Sequence, residues 1–333
     1  MEISVKSEVP AISVKGLHKR YSDVYAVQDV SFDVQQGSVV GFIGANGAGK
    51  TTTMRILATL EHPDEGQAAL CGFNVSEEPT EVRRRLGWMP DSYGTYDNMS
   101  VWEYMDFFAR AYGFKGAERK TRVDEVMDFI DLHPLRDRMM NKLSKGMGQR
   151  LCLGRTLIHD PQVLILDEPA AGLDPKARVE FKRLVRLLAE EGKTILISSH
   201  ILSELSEMCD SLLFIDQGQI VHQGDRESLT RGAAIEAIIE LRFLGEVGPV
   251  QEWVSLHPDL RWAESLKNGG RVVLANASDT RLAEVLRAMI LGNVRVTGFH
   301  VEERKLEDVF VEVVEQKNRD RQEQQSKPKT GAE

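Results

Sequence analysis

Two runs of the chain, QVLILD (162–167) and KTILISS (193–199), are almost wholly apolar, and a third, SVVGFI (38–43), is nearly so. Strands without a polar face need cover on both sides, a condition met in a parallel sheet flanked by helices. The helix predicted over Lys176–Glu190 between the first two gives strand–helix–strand order, which supports that reading. Upstream, from Ile12 to about Gly41, short period-two runs broken by turn residues predict an antiparallel sheet leading into a buried strand.

The loop GANGAGKT, Gly44 to Thr51, follows SVVGFI directly and precedes a helix predicted over Thr51–Leu60. It satisfies the G-x-x-x-x-G-K-[ST] pattern in the strand–helix context that the pattern requires. Gly44, Gly47 and Gly49 let the backbone wrap closely around phosphate oxygens, with Ala45, Asn46 and Ala48 completing the loop. Lys50 can reach the β- and γ-phosphates as a point charge, and Thr51, followed by Thr52, can ligate Mg²⁺.

VLILDEP ends a buried strand with Asp167 and Glu168. Alone, two acids at a strand end read as solvated charges. Beside a phosphate loop, Asp167 can support Mg²⁺ through water, and Glu168 can polarise the water that attacks a γ-phosphate. His200 closes ILISSH; parallel geometry puts it at the same carboxyl edge, where ligands bind, although a lone histidine there can also be structural. The stretch KLSKGMGQR (142–150) reads as a loop becoming a helix, with Ser144, Gly146 and Gly148 at the helix start. Bare backbone N–H groups and a hydroxyl there suit an anion; Ser144 could equally serve as a helix cap.

Length and charge narrow the class. The 333 residues allow one large domain or two ordinary ones, and the net charge of −9 argues against a general nucleic-acid binder. Cys71, Cys152 and Cys209 lack metal-ligand spacing and suit a reducing compartment. No run approaches the roughly 20 apolar residues of a membrane span, and MEISVKSEVP has no apolar signal core, so work at a membrane requires another chain to cross it.

Taken together, these motifs resemble the ATP-binding subunit of an ABC transporter, over roughly 12–224. GANGAGKT is similar to that family's Walker A, VLILDE to Walker B, AGLD (171–174) to the D-loop, His200 to the switch histidine, and Tyr21 to the aromatic residue that stacks on adenine. LSKGM, Leu143 to Met147, resembles the signature usually written LSGGQ. The resemblance implies that ATP and Mg²⁺ are bound and that two nucleotide-binding domains face head to tail. Ser144, Gly146 and Met147 of one would then meet the γ-phosphate held by the other. With one P-loop and one signature, the chain resembles half an engine, completed by a second copy or a paralogue. Asp174, ahead of Pro175, is expected at that dimer interface as well as at a helix cap.

Two departures stand out. Lys145 and Met147 replace a glycine and the glutamine of the common signature. In GWMPDSYG, Asp91 stands where the family has a glutamine contacting Mg²⁺ and the attacking water; a carboxylate there adds negative charge beside the γ-phosphate, and an altered coupling or metal requirement is expected. Aromatic residues then cluster from Trp88 to Phe114, with Ser100 and Glu103 at capping-box spacing ahead of VWEYMDFFARAY. Many of these rings belong in a core, but their density suits a groove for a partner helix. In the family this region, here about Asp91–Phe114, accepts a helix of the membrane permease.

The expected architecture is α/β: a P-loop NTPase of the ABC ATPase type over 12–229, with an antiparallel β subdomain and a helical subdomain at about 88–160. It follows an N-terminal extension (1–11). Strand–helix–strand–strand–helix–strand order predicts a small α+β ferredoxin-like domain over 230–315, with a last helix LEDVFVEVVE. Beyond 316 the chain has almost no apolar residues, and a disordered tail is expected. ERKLEDVFVEV resembles the ending of ATPases that serve ABC-2-type permeases, which implies an exporter subunit at the cytoplasmic face of the inner membrane. A soluble ABC-type ATPase acting on ribosomes or DNA is the alternative; it is disfavoured by the single cassette, the lack of a long coiled-coil insertion and the acidic charge. A small-molecule kinase is disfavoured by the signature and by Glu168.

Overall fold

The computed structural model describes residues 9–92, 94, 96–205, 208–225, 237–267, 269–275 and 277–302. Tyr93, LEDVFVEVVE and the segment 316–333 lie outside the described residues, as does most of the segment 1–11. The chain divides into two compact units, 1–225 and 226–333.

The first unit contains two sheets. Strands β1 (Ile12–Tyr21), β2 (Val24–Val34), β4 (Glu65–Leu70) and β5 (Phe73–Asn74) form an antiparallel sheet in the order β2-β1-β4-β5. Ile12, Val14 and Leu17 of β1 and Val27, Val30, Phe32 and Val34 of β2 are buried, as the alternation of apolar residues along these strands requires.

The second sheet comprises β3 (Val39–Ile43), β6 (Leu86–Met89), β7 (Val163–Leu166), β8 (Thr194–Ser199), β9 (Ser211–Asp216) and β10 (Gln219–Asp225), in the order β10-β9-β3-β8-β7-β6. All neighbours are parallel except β9 and β10. Every residue of β3, β7 and β8 is buried, which explains why these segments read as unbroken apolar runs.

Helix α1 (Lys50–Leu57) follows the glycine loop; it stops short of the expected Leu60 because Thr59 adopts a left-handed φ of 59°. Then come α2 (Pro79–Arg85), α3 (Val101–Ala111), α4 (Gly116–Phe129), α5 (Lys145–Leu157), α6 (Pro175–Glu190) and α7 (Leu202–Leu205). Ser100 and Glu103 form a reciprocal capping box on α3: the Ser100 N–H donates to Glu103 Oε2 at 2.8 Å, and the Glu103 N–H donates to Ser100 Oγ at 3.3 Å.

The expectation of helical structure from Trp88 onward needs correction. Trp88 lies within β6, paired in parallel with β7, and the first helix after it starts at Val101. Four residues, LGWM, are too short to announce a strand by periodicity. Their consequence for the site is large, because β6 delivers Asp91 to the edge where the other strands end.

The second unit runs β11 (Ala237–Leu244), α8 (Val247–Ser255), β12 (Leu260–Leu266), β13 (Gly269–Leu274), α9 (Asp279–Leu291) and β14 (Arg295–Glu302). Its sheet order, β12-β13-β11-β14, is antiparallel throughout, the ferredoxin-like topology. Ile239, Leu241, Phe243, Val272 and Leu274 of the sheet share a core with Val254 and Val285 of the helices. Gly270 is required for space: a Cβ there would overlap the Trp262 ring.

Candidate nucleotide site

Parallel strands align their carboxyl ends, and four of those ends carry the candidate residues. Gly44 follows β3, Asp91 lies two residues beyond β6, Asp167 follows β7 and His200 follows β8. Residues distant in sequence are thereby brought to one edge of the sheet, where α/β folds bind ligands. A cleft of about 330 Å³ is lined there by Tyr21, Ala26, Ala45, Asn46, Gly47, Gly49, Lys50, Thr51, Thr52, Asp91 and Glu168.

The loop geometry follows from its glycines. Gly47 and Gly49 have φ of 83° and 110°, a left-handed backbone that disfavours side chains, and Gly49 is the N-cap of α1. A Cβ on Gly44 would lie 2.4 Å from the Ile215 carbonyl, so the loop can pass this close to β9 only as glycine. Gly44 and Ala48 are buried beneath the loop, while Ala45, Asn46 and Gly47 are exposed.

Lys50 is almost wholly buried, and its ammonium donates to the carbonyls of Gly44 at 2.6 Å and Ala45 at 3.3 Å. It also stands 3.3 Å from Glu168 Oε1, close enough for ion pairing but without hydrogen-bond geometry. The other carboxylate oxygen, Oε2, is 2.8 Å from His200 Nδ1. Glu168 adopts a left-handed φ of 47°, a strained conformation of the kind that collects at functional sites.

Asp167 is buried and accepts a hydrogen bond from the Ser198 hydroxyl at 2.7 Å, with the Thr51 hydroxyl close by. Burial pushes its pKa above the ordinary carboxylate value; the two hydroxyls oppose that shift, and the charges of Glu168 and Asp91 add to it. Thr51 and Asp91 line the open cleft as hard oxygen donors, with Asp167 buried beside them, and this donor chemistry fits Mg²⁺.

Sequence reasoning missed Ser198. Its hydroxyl donates to Asp167 Oδ1 at 2.7 Å and accepts the Glu168 N–H at 2.8 Å, so one side chain orders both acids. The sequence offered only a serine near the end of the run KTILISS, next to a second serine, Ser199.

The structure does not bring the signature to this cleft. Ser144 caps α5, its Oγ accepting from the Met147 N–H at 3.4 Å, and neither it, Gly146 nor Met147 lines the cleft. Gly146 packs against α6: a Cβ there would meet that of Ala177 at 2.7 Å. Asp174 caps α6 by accepting from the Ala177 N–H at 2.9 Å. The capping reading of Ser144 and Asp174 thus holds within one chain, and it leaves their outward faces available.

A glycine-loop lysine, a hydroxyl-bearing helix start and a strand ending in Asp-Glu define a P-loop nucleotide-binding protein. The ABC transporter family model matches residues 27–171. The ABC transporter ATP-binding protein NatA of Bacillus subtilis (strain 168) is 38% identical over 223 residues, spanning 66% of this chain and 91% of that protein. Nod factor export ATP-binding protein I of Burkholderia lata is 35% identical over 304 residues, 91% of this chain and 96% of that protein. Among solved structures, an ATP-binding subunit of an ABC transporter superposes with a TM-score of 0.62 at 29% identity, covering 68% of this chain and 94% of the other. The chain belongs to the ABC transporter ATP-binding family. It is an ATPase that powers a membrane transporter, and subunits of this kind work as dimers of cassettes with membrane permease partners.

Proposed function

We propose that this chain is the ATPase subunit of an ABC-2-type exporter, and that it hydrolyses Mg²⁺-ATP in sites completed by a second cassette. The observation that carries the reading is the separation of Ser144, on the cap of α5, from the cleft lined by Lys50 and Glu168. The start of α5 offers backbone donors that its own cleft does not use, and they would add to those of a phosphate loop on a second cassette. Export is supported by the relative named for Nod factor export, whose match runs to 304 residues and so reaches well past the first unit.

In this reading Tyr21 stacks on adenine, and residues 44–52 envelop the phosphates. Thr51, Asp167 and Asp91 would hold Mg²⁺, which would supply positive charge to offset that of the phosphates. Nucleotide entry draws the Lys50 ammonium from the Gly44 carbonyl and Glu168 toward the phosphates. Glu168, relieved of that ion pair, orients the attacking water and accepts its proton, while His200 holds the second carboxylate oxygen and senses the γ-phosphate. Ser144, Gly146, Met147 and Asp174 act on the nucleotide of the partner cassette. ATP closes the dimer and hydrolysis reopens it, a population shift driven by differential binding.

The permease is proposed to dock on the groove between the sheet and the helical subdomain, near 91–114. Here Phe107 and Tyr112 are about half exposed, Phe108 is packed edge-on to Tyr104, and Trp88 lines the groove. No described helix is long and apolar enough to cross a membrane, and attachment to the cytoplasmic face through this permease is part of the proposal. The deciding experiment uses Glu168→Gln with Mg²⁺-ATP in size-exclusion chromatography with light scattering. A nucleotide-dependent dimer is expected, and persistent monomers at saturating ATP would overturn the shared-site reading.

A further inference from the structure

The groove just described carries charge that its own residues do not balance. It occupies about 390 Å³, and its lining includes Leu86 and Trp88 of β6, Phe108 of α3, Tyr112, Arg83 of α2 and Arg155 of α5. Arg155 is partly buried, and its Nη1 donates to the Tyr104 hydroxyl at 3.3 Å. Its Nη2 lies 3.5 Å from Cys152 Sγ, and its guanidinium carbon is 5.4 Å from the centre of the Phe108 ring. Burial pushes the Tyr104 phenol up to about 12 and the Cys152 thiol up to about 11, so both partners are neutral near pH 7. The guanidinium stays charged.

Among the described residues, no carboxylate pairs with Arg155. Among the described residues, Arg83 is satisfied by the Thr59 hydroxyl at 2.7 Å and the Thr59 carbonyl at 3.4 Å, with no carboxylate beside it. No carboxylate lines the groove. Two cations without an anion are unexpected on a chain of net charge −9. A half-desolvated guanidinium among neutral groups gains most from an anion brought by a partner, because much of its desolvation has already been met in the free chain.

We infer that the permease segment seated in this groove is an amphipathic helix carrying a carboxylate that pairs with Arg155, its apolar face resting on Trp88 and Phe108. The inference deepens the docking reading and rests on it. Apolar lining gives a helix its seat, and the buried charge gives it register.

The test uses the full chain co-expressed with its permease and purified as the complex in detergent. A photo-crosslinking phenylalanine replaces Leu60, an exposed residue of the groove lining, and mass spectrometry locates the permease segment it meets. In the same complex, Arg155→Met and Arg155→Glu are compared with wild type by titrating the tagged chain onto the solubilised permease. The methionine variant is expected to weaken binding by about tenfold and the glutamate variant by more. One carboxylate-to-arginine exchange within the crosslinked segment should restore binding to Arg155→Glu. If both variants bind like wild type while the crosslink persists, the carboxylate pairing is wrong and the docking reading stands. If position 60 crosslinks only to the chain itself or to nothing, both fall. Arg83→Glu, on an exposed side chain of the groove, supplies the same charge reversal should Arg155→Glu fail to fold.

Discussion

His200 Nδ1 and Glu168 Oε2 lie 2.8 Å apart, while the second oxygen of the same carboxylate faces the Lys50 ammonium at 3.3 Å. Glu168 is thus held between a histidine from the end of β8 and the lysine that opens α1. Both oxygens of the proposed general base are engaged by groups of its own site. In the proposed mechanism, displacing Lys50 toward phosphate frees Glu168 and so couples binding to catalytic competence.

Replacing His200 by alanine should therefore leave nucleotide affinity nearly intact and slow phosphate release by about 10²–10⁴-fold, the range for loss of a positioned acid–base partner. Steady-state phosphate release beside equilibrium binding of a fluorescent ATP analogue separates the two effects. An equal loss in both would assign His200 to binding.

Ser198 offers a sharper test of how the acids are ordered. Ser198→Ala removes the donor to Asp167 and leaves the Glu168 N–H without its acceptor, in a position with no access to water. An orphaned buried group costs about 1–3 kcal/mol, and thermal denaturation of the apo chain should register it. Turnover should fall more than nucleotide affinity, because Glu168 loses its orientation while the glycine loop is untouched. Ser198→Thr keeps the hydroxyl and should recover part of both losses.

The extent to which this site could be read from sequence depends on where each residue sits. Lys50 and its glycines are local: their spacing within eight residues encodes the loop, and the apolar run before them encodes the strand. Asp167 and Glu168 were legible because they terminate another apolar run. Ser198 was hidden by its chemistry, since a serine within ILISS has no local pattern until its two acceptor and donor partners are placed in space. The strand β6 was hidden by its length, and with it the reason that Asp91 joins a cleft some forty residues downstream of the glycine loop. The three sheet topologies were partly legible from element order; the pairing that puts β3 between β8 and β9 was not, because long-range neighbours leave no trace in periodicity.

Asp167 supplies a pH-dependent signature. Its folded-state pKa lies above the ordinary value of 3.8, chiefly through burial, so keeping it ionised at neutral pH costs stability. The folded chain binds the proton more tightly than the unfolded one, and this cost disappears as pH falls through the raised pKa. Asp167→Asn should accordingly melt higher than wild type at pH 7 in the absence of nucleotide. The difference should shrink as the pH is lowered toward the carboxylate range. With Mg²⁺-ATP the order should reverse, since wild type gains the metal and the variant does not. Melting curves at several pH values, with and without Mg²⁺-ATP, check all three statements.

Asp91 places a third carboxylate beside Asp167 and Glu168 in a site with one lysine. Asp91→Gln removes a negative charge and should reduce the Mg²⁺ concentration dependence of ATP binding, tightening metal-free ATP by about tenfold if roughly one unit of charge repulsion is relieved. Binding isotherms with EDTA and with Mg²⁺ measure this directly. Identical isotherms for the two proteins would remove Asp91 from the metal site.

The signature serine can be tested apart from its structural role, because two different side chains cap helices equally well. Ser144→Ala loses the hydrogen bond from the Met147 N–H and should cost about 1 kcal/mol of stability together with any contact across the dimer. Ser144→Asp keeps an N-cap of equal quality and adds a negative charge that favours the helix dipole. In the isolated chain it should melt at or above wild type. That same charge meets the γ-phosphate of the partner's nucleotide if the cassettes face head to tail, so Ser144→Asp should bind ATP normally in its own cleft, fail to form the ATP-dependent dimer in a Glu168→Gln background, and lose turnover. Light scattering, melting and nucleotide titration on one preparation decide the matter. A stable, ATP-binding Ser144→Asp chain that still dimerises would show that Ser144 is a cap and nothing more.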